Sequence, residues 1–262
     1  MKRLLTASLL IPFFLWVVLF SPQLFFLAVV AALACVCFVE FWNIGRAHYA
    51  GSNDLRLPIP GLAAGLVFLF APNEQQLLAT LFVLLMMIVA MRSTELRPAL
   101  PFSALFALGL LYVFGCWRAA ISLHALSPWW LLFATAINWV GDTFAYYAGR
   151  TFGRHKLAPR VSPAKTWEGA IASLASTLVL GYAYLHYFFP QVPMAFALLL
   201  CAAGNLSGQV GDLAESAFKR GAGVKDSGTW LPGHGGWLDR VDSTLFSMPV
   251  VAWLLQQSWL LR

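Results

Sequence analysis

Charge is what this chain has least of. Of its 262 residues only 11% are Asp, Glu, Lys or Arg, while 60% are hydrophobic. A soluble domain carries roughly 25% charged residues. So little charge cannot cover a globular surface, which excludes an ordinary water-soluble domain and makes lipid part of the solvent. Cysteine is scarce as well. Cys35, Cys37, Cys116 and Cys201 all fall inside apolar runs and share no metal-ligand spacing with histidine, so they read as packing residues. Lys2, Arg3 and the apolar run behind them resemble a signal peptide, but no small-x-small cleavage site follows. The run ends at Ser21 and Pro22 and is read as an uncleaved first helix. Familiar catalytic patterns are missing too. There is no His-Glu-x-x-His, no Ser-His-Asp arrangement, and no Gly-x-x-x-x-Gly ahead of Lys165 and Thr166, which excludes Walker-type nucleotide binding.

Long apolar runs are what the chain does have. Nine candidate membrane segments cover residues 4–20, 24–44, 58–71, 77–91, 101–121, 129–148, 167–189, 193–211 and 241–261. A helix needs roughly 20 apolar residues to cross the hydrocarbon core, and the third and fourth segments fall short of that. In lipid every backbone N–H and C=O must be paired internally, so these segments are helices. The expected fold class is therefore all-α: a polytopic membrane helical bundle with its active site at the cytoplasmic interface. Residues 1–137 are read as N-terminal transmembrane helices. Residues 138–262 are read as a catalytic transmembrane region with two cytoplasmic loops, 149–166 and 212–240.

The net charge of +6 follows this topology and does not indicate nucleic-acid binding. With a cytoplasmic N-terminus, fifteen of the seventeen Lys and Arg residues fall on one side, and only Arg118 and Arg262 lie toward the other. Such a bias is the positive-inside pattern, and it agrees with an odd number of crossings. Basic loops at that surface meet anionic membrane lipids and phosphates.

The polar residues gather in two places. Asn205, Gln209, Asp212, Ser216 and Lys219 follow steps of four, three, four and three, which puts them on one helical stripe. Asn138, Asp142, Tyr146 and Arg150 form a second stripe, each four residues from the last, leading into a basic loop. A polar stripe entering from a membrane helix is costly unless it lines a wet cavity or binds something. Asp239 and Asp242, three apart, share a face at the start of the last segment. Carboxylates among lysines and arginines suit Mg²⁺ together with phosphate, because the acids hold the metal and the cations neutralise the remaining charge. For any single pair, an interfacial salt bridge anchoring a helix end is the alternative. The run from Gly233 through His234 to Gly235 and Gly236 offers unobstructed N–H groups near a helix N-terminus, a place that favours anions. His234 there binds phosphate, moves a proton or caps the turn. Ser162, Pro163 and Thr166 alternatively start the seventh helix, with Glu168 in its first turn. The chemistry that fits is phosphoryl or nucleotidyl transfer, where positioning and charge neutralisation do most of the work.

One block is dense enough to resemble a known family. Ser216, Phe218, Lys219 and Arg220, then Lys225 and Asp226, then Leu231, Pro232, His234, Gly235 and Gly236, then Asp239, Arg240 and Asp242 closely resemble the signature of the phosphatidate cytidylyltransferases, or CDP-diacylglycerol synthases. The likeness extends upstream through Asp142, Tyr146, Gly149 and Arg150, then Lys156 and Pro159, then Ser162, Lys165, Thr166 and Gly169. It covers roughly residues 138–243, with departures at Trp237 and Ala164 that remove no metal- or phosphate-binding group. The resemblance implies transfer of a cytidylyl group from CTP to phosphatidic acid, giving CDP-diacylglycerol and pyrophosphate in phospholipid biosynthesis.

It further implies Mg²⁺ as cofactor, with Asp212 and Asp239 as metal ligands, and a homodimer in the bacterial inner membrane. Asp212, Lys219, Asp239 and Asp242 are the expected catalytic residues. Asp142, Arg150, Ser162, Lys165, Thr166, Ser216, Arg220, Lys225, Asp226, His234, Gly235, Gly236 and Arg240 are expected at the substrates. Two other readings are weaker. A CDP-alcohol phosphotransferase needs an Asp-Gly-x-x-Ala-Arg pattern that is absent, and a transporter with Asp142 and Asp212 as ion-coupling carboxylates lacks the paired repeats of that class.

Overall fold

A computed structural model describes residues 2–48, 58–71, 75–91, 99–231, 233 and 235–257. In chain order the elements are α1 (Lys2–Phe20), α2 (Gln23–His48), α3 (Ile59–Phe70), α4 (Gln75–Ala90) and α5 (Ala99–Gly109). A π-helical stretch (Leu110–Gly115) then runs on into α6 (Cys116–Leu126), and α7 (Pro128–Phe152) follows. After the strands β1 (Lys156–Ala158) and β2 (Ser162–Thr166) come α8 (Trp167–Phe188), α9 (Met194–Gly221) and α10 (Leu238–Gln256). The first eight expected segments lie in helix to within a residue, but several helices run on past them. α2 continues four residues beyond 44, the α5–α6 stretch five beyond 121, and α7 four beyond 148. α9 continues ten beyond 211, so that residues 212–221 of the expected 212–240 loop are helical. The ninth is helical as far as Gln256.

The chain is a helical membrane protein. Among the described residues, four helical stretches are long and apolar enough to cross a bilayer: Gln23–His48, Ala99–Leu126, Trp167–Phe188 and Met194–Gly221. Three apolar helices are shorter: Ser8–Phe20, Ile59–Phe70 and Gln76–Ala90. At 1.5 Å per residue, α3 with its 12 residues measures about 18 Å, well short of a hydrocarbon core about 30 Å thick. Helix ends follow local chemistry. The Ser127 hydroxyl accepts from the Trp129 N–H at 3.3 Å, with Pro128 in the first position of α7. Thr166 does the same for α8 through the Gly169 N–H at 3.2 Å, and Glu168 sits in the first turn, as the sequence suggests.

One departure from the all-helical expectation lies in the 149–166 loop, which contains a two-stranded antiparallel hairpin. Lys156 stands opposite Thr166 and Ala158 opposite Ser162. Strands of three and five residues are too short to show a period-two pattern in sequence.

By compactness the chain forms two units. One comprises Met1–Arg118 with Phe218–Arg240, the other Ala119–Ala217 with Val241–Arg262. The first is built on aromatic packing: Phe38, Trp42, Phe106 and Phe114 are all fully buried, and the Phe38 and Phe114 rings lie 5.3 Å apart. Gly65 lets α3 approach, because a Cβ there would overlap the Phe114 ring.

The second unit carries a polar interior. Asn138 donates to the Ser247 hydroxyl at 2.7 Å and to the Ala134 carbonyl at 2.8 Å. Asn205 donates to the hydroxyls of Ser173 at 2.9 Å and Thr177 at 3.1 Å, and accepts from Gln209 at 2.7 Å. Buried amides of this kind tie neighbouring membrane helices together. The four cysteines are free, with Cys37, Cys116 and Cys201 buried among apolar side chains, which matches the packing role read for them.

Candidate active site

In the second unit, α7, the hairpin, α8 and α9 surround a cavity of about 430 Å³. Asp142, Tyr146, Gly149 and Arg150 enter it from α7, Lys165 and Thr166 from β2, and Gln209 and Asp212 from α9. The two sequence stripes therefore meet here, but only in part. Asn138 and Asn205, at their deep ends, are buried in the hydrogen bonds just described and serve the packing. Asp142, Tyr146 and Arg150 face the cavity, and Arg150 donates to the Tyr146 hydroxyl at 3.1 Å.

The Lys165 ammonium lies 2.5 Å from Asp212 Oδ2, each side chain being a little over a quarter exposed. Ser216 donates to the other Asp212 oxygen at 3.4 Å. A cation and a carboxylate held together at a half-open cavity can each be drawn to substrate, the cation to phosphate and the carboxylate to a metal ion. Ser162 begins β2, and Thr166 is occupied as the α8 cap. Asp242 accepts from the Ser243 N–H at 2.7 Å.

The first unit holds a second charged cluster. Lys219 is buried, and its ammonium lies 2.5 Å from Asp239 Oδ1. Asp239 Oδ2 accepts from the N–H groups of Ser227 and Gly236, both at 2.9 Å. Burial works against this carboxylate. The hydrogen bond from Lys219, the two backbone N–H groups and the lysine charge outweigh that effect and hold its pKa below the ordinary aspartate value. The Gly236 N–H, expected to stand open for an anion, is thus directed at Asp239. What the glycines contribute is space and conformation: Gly233 and Gly235 have φ of 78° and 81°, the left-handed region natural to glycine. A Cβ on Gly235 would come within 2.6 Å of Asp239 Oδ2. Arg220, Lys225, Asp226 and Arg240 are exposed. His234 lies outside the described residues.

The sequence reading missed Glu40. It is 1% exposed in α2 and accepts from the Ser227 hydroxyl and from the N–H groups of Trp237 and Leu238. A signal was present, since a lone carboxylate in a long apolar run is expensive and calls for a partner.

Carboxylates, an ammonium group and a guanidinium gathered at one cavity of a helical membrane protein suit an enzyme that handles phosphorylated substrates. The chain belongs to the cytidylyltransferase family, whose pattern it matches over residues 1–258. It is 34% identical over 240 residues to a phosphatidate cytidylyltransferase of Staphylococcus aureus, covering 86% of this chain and 88% of the relative. Against the phosphatidate cytidylyltransferase of Staphylococcus saprophyticus it is 33% identical over 241 residues, 86% and 87% of the two chains. The likeness to the enzyme of that name from Haemophilus influenzae is 44% over 124 residues, 45% of this chain and 43% of the relative.

Proposed function

We infer that the chain carries out the reaction its relatives are named for. It transfers a cytidylyl group from CTP to phosphatidic acid, giving CDP-diacylglycerol and pyrophosphate for phospholipid biosynthesis. The observation that carries this reading is the near full-length likeness to phosphatidate cytidylyltransferases, together with a cavity that gathers Asp142, Arg150, Lys165 and Asp212.

In the reaction an oxygen of the lipid phosphate forms a bond to the α-phosphorus of CTP, and the bond from that phosphorus to the β-phosphate oxygen breaks. Pyrophosphate departs with the electron pair. No covalent enzyme intermediate is needed, so the chain's task is to bring two anions together. Arg150 and Lys165 at the cavity, and Lys219, Arg220 and Lys225 in the other unit, neutralise phosphate charge. Such fixed cations act most strongly where water is excluded. Tyr146 holds the Arg150 guanidinium and Asp212 holds Lys165, so both cations are oriented before substrate arrives.

Mg²⁺ is the proposed cofactor, with Asp212 and Asp239 the carboxylates assigned to it. Two carboxylate-bearing residues of the cavity lining, Asp142 and Asp212, supply the oxygen chemistry that suits a hard cation. Among the described residues no group of three or more His, Cys, Asp or Glu side chains gathers. Such an ion would complete its shell with water and substrate phosphates, which is how Mg²⁺ is commonly held. When bound it supplies charge neutralisation and polarisation at phosphate oxygens.

The proposed setting is the bacterial inner membrane, with the N-terminus and loops 149–166 and 212–240 in the cytoplasm and nine crossings in all. Cation placement supports this. The short helices α3 and α4 do not threaten it: if the two dip in and return as a pair, the count falls by two and every later loop keeps its side. The family resemblance also supports a homodimer, measurable by light scattering in detergent.

The purified protein in detergent tests the activity. Pyrophosphate release should require both CTP and phosphatidic acid, and should not occur when diacylglycerol, which lacks the phosphate nucleophile, replaces the acid. Release without phosphatidic acid, or none with it, would refute the reading.

A further inference from the structure

Glu40 is the only charged residue of α2 before Arg46. A buried carboxylate in a membrane helix is tolerated only if its lone pairs are matched. All of its recorded matches come from one turn far along the chain. Ser227 Oγ donates to Oε2 at 3.0 Å, Leu238 N to Oε2 at 2.8 Å, and Trp237 N to Oε1 at 3.1 Å. Trp237 and Leu238 stand at the start of α10, so Glu40 caps that helix from another part of the chain, where the dipole favours negative charge. Room for the carboxylate is made by two glycines. A Cβ on Gly228 would sit 2.5 Å from Oε1, and one on Gly236 2.5 Å from Oε2.

The contacts continue from Glu40 to the charged pair. The hydroxyl of Ser227, donating to Glu40, accepts from the Asp239 N–H at 3.3 Å, while the Ser227 N–H donates to Asp239 Oδ2. Asp239 in turn holds Lys219. We propose that Glu40 is a positioning residue for cytidylyl transfer: fixed in α2, it sets the 227–238 turn and, through Ser227, the orientation of the Asp239–Lys219 pair. This rests on the assignment of that pair to the reaction. Glutamine is no substitute at this position. Its amide NH₂ would face a backbone N–H, and its one oxygen cannot serve all three donors. Aspartate is one methylene too short to reach the turn.

The test uses full-length Glu40→Gln and Ser227→Ala, singly and together, beside Lys219→Ala and Asp239→Asn. Each is purified in detergent and assayed per mole of folded protein. For Glu40→Gln, kcat should fall roughly 10- to 100-fold, the loss expected of a small misplacement of catalytic groups. The KM values for CTP and phosphatidic acid should stay within about threefold of the original, a split that simple loss of folded protein does not produce. Ser227→Ala should lower kcat in the same way, and the double variant should be no worse than the weaker single, because both act along one path. Should Glu40→Gln fail to fold, the KM-against-kcat split in Ser227→Ala carries the test. Normal kcat per folded molecule in Glu40→Gln or Ser227→Ala, or fully additive losses, overturns the proposal. If those two variants are normal while Lys219→Ala and Asp239→Asn are inactive, the positioning role fails and the pair's assignment stands. If Lys219→Ala and Asp239→Asn are themselves fully active, the assignment beneath the proposal fails.

Discussion

Lys165 places its ammonium 2.5 Å from Asp212 Oδ2, and the two partners arrive from different elements, β2 and α9. The contact closes one wall of a cavity whose other charged groups are Asp142 and Arg150. Being a little over a quarter exposed, the pair adds little to stability, on the order of 0–1 kcal/mol. Its effect on the reaction should be far larger. Lys165→Ala is expected to leave the unfolding temperature in detergent nearly unchanged and to lower kcat/KM about 10- to 100-fold, from loss of a charge-assisted phosphate contact worth about 1.5–3 kcal/mol. Wild-type turnover in this variant would make the pair an anchor only.

The buried pair of Lys219 and Asp239 should behave differently. Removing one member leaves a charge in a closed site, so Asp239→Asn and Lys219→Ala should each lower stability as well as activity, on the order of 3 kcal/mol at most for a partly buried pair. The pH dependence has a definite sign. Because the folded pKa of Asp239 is depressed, the stability it contributes is complete above the unfolded value, about 3.9. That contribution is lost as pH falls through the folded value. Thermal unfolding followed from about pH 6 downward should show a steeper acid decline in the wild type than in Asp239→Asn. Parallel curves would mean that the carboxylate is not stabilised as described.

The polar ladder in the second unit gives a stability prediction without catalysis. Asn205→Leu removes bonds to Ser173 and Thr177 and takes away the shorter of the two bonds made by the Gln209 amide, leaving it the Ala170 carbonyl at 3.3 Å. Hydrogen bonds between membrane helices average about 0.6 kcal/mol and reach about 1.7, so a loss of roughly 1–2 kcal/mol is expected. Unfolding by a denaturing detergent measures it. An unchanged midpoint would show that the ladder contributes nothing.

Much of this arrangement was legible in the sequence because lipid makes the rules strict. A run of apolar residues in this setting can only be helix, so the existence of each segment was legible. The ends were not: α9 continues ten residues past the apolar run, through Asp212 and Lys219, to Gly221. The cavity was legible in outline from two stripes with helical spacing. Spacing alone, however, cannot tell which members of a stripe face a cavity and which face a neighbouring helix: Asn138 and Asn205 turned inward to Ser247 and Ser173, while Asp142 and Asp212 did not. The hairpin escaped notice because its strands are too short for a pattern. Glu40 escaped because its partners are nearly two hundred residues away, and only the fold brings Ser227 and Leu238 to it.

Topology can be measured directly. In a cysteine-free background, single cysteines near Gly153, such as at the exposed Arg154, and at Gln191 flank α8, one of the four stretches long and apolar enough to cross a bilayer. They should react with an impermeant thiol reagent from opposite faces of sealed vesicles, the one at Arg154 from the cytoplasmic face. Labelling of both from one side would remove the crossing at α8 and the orientation built on cation bias.

The metal assignment yields the last prediction. Asp142 and Asp212 line one cavity, and asparagine keeps the shape of either while removing a charge. Asp212→Asn and Asp239→Asn should lower turnover by about 10²-fold or more, on the scale of several kcal/mol for Lewis-acid assistance. Asp142→Asn should act more mildly, mainly by raising the Mg²⁺ concentration needed for half-maximal pyrophosphate release, because a nearby charge lost weakens binding without removing a ligand. Asp226, exposed in its turn, provides the contrast: Asp226→Asn should leave the Mg²⁺ dependence as it was, whatever it does to substrate binding. The comparison is a set of Mg²⁺ titrations at saturating CTP and phosphatidic acid. If Asp212→Asn and Asp239→Asn keep both wild-type turnover and the wild-type Mg²⁺ midpoint, the ion is held by other residues. If Asp142→Asn alone shifts the midpoint, the ion belongs to the cavity and Asp239 serves only to hold Lys219.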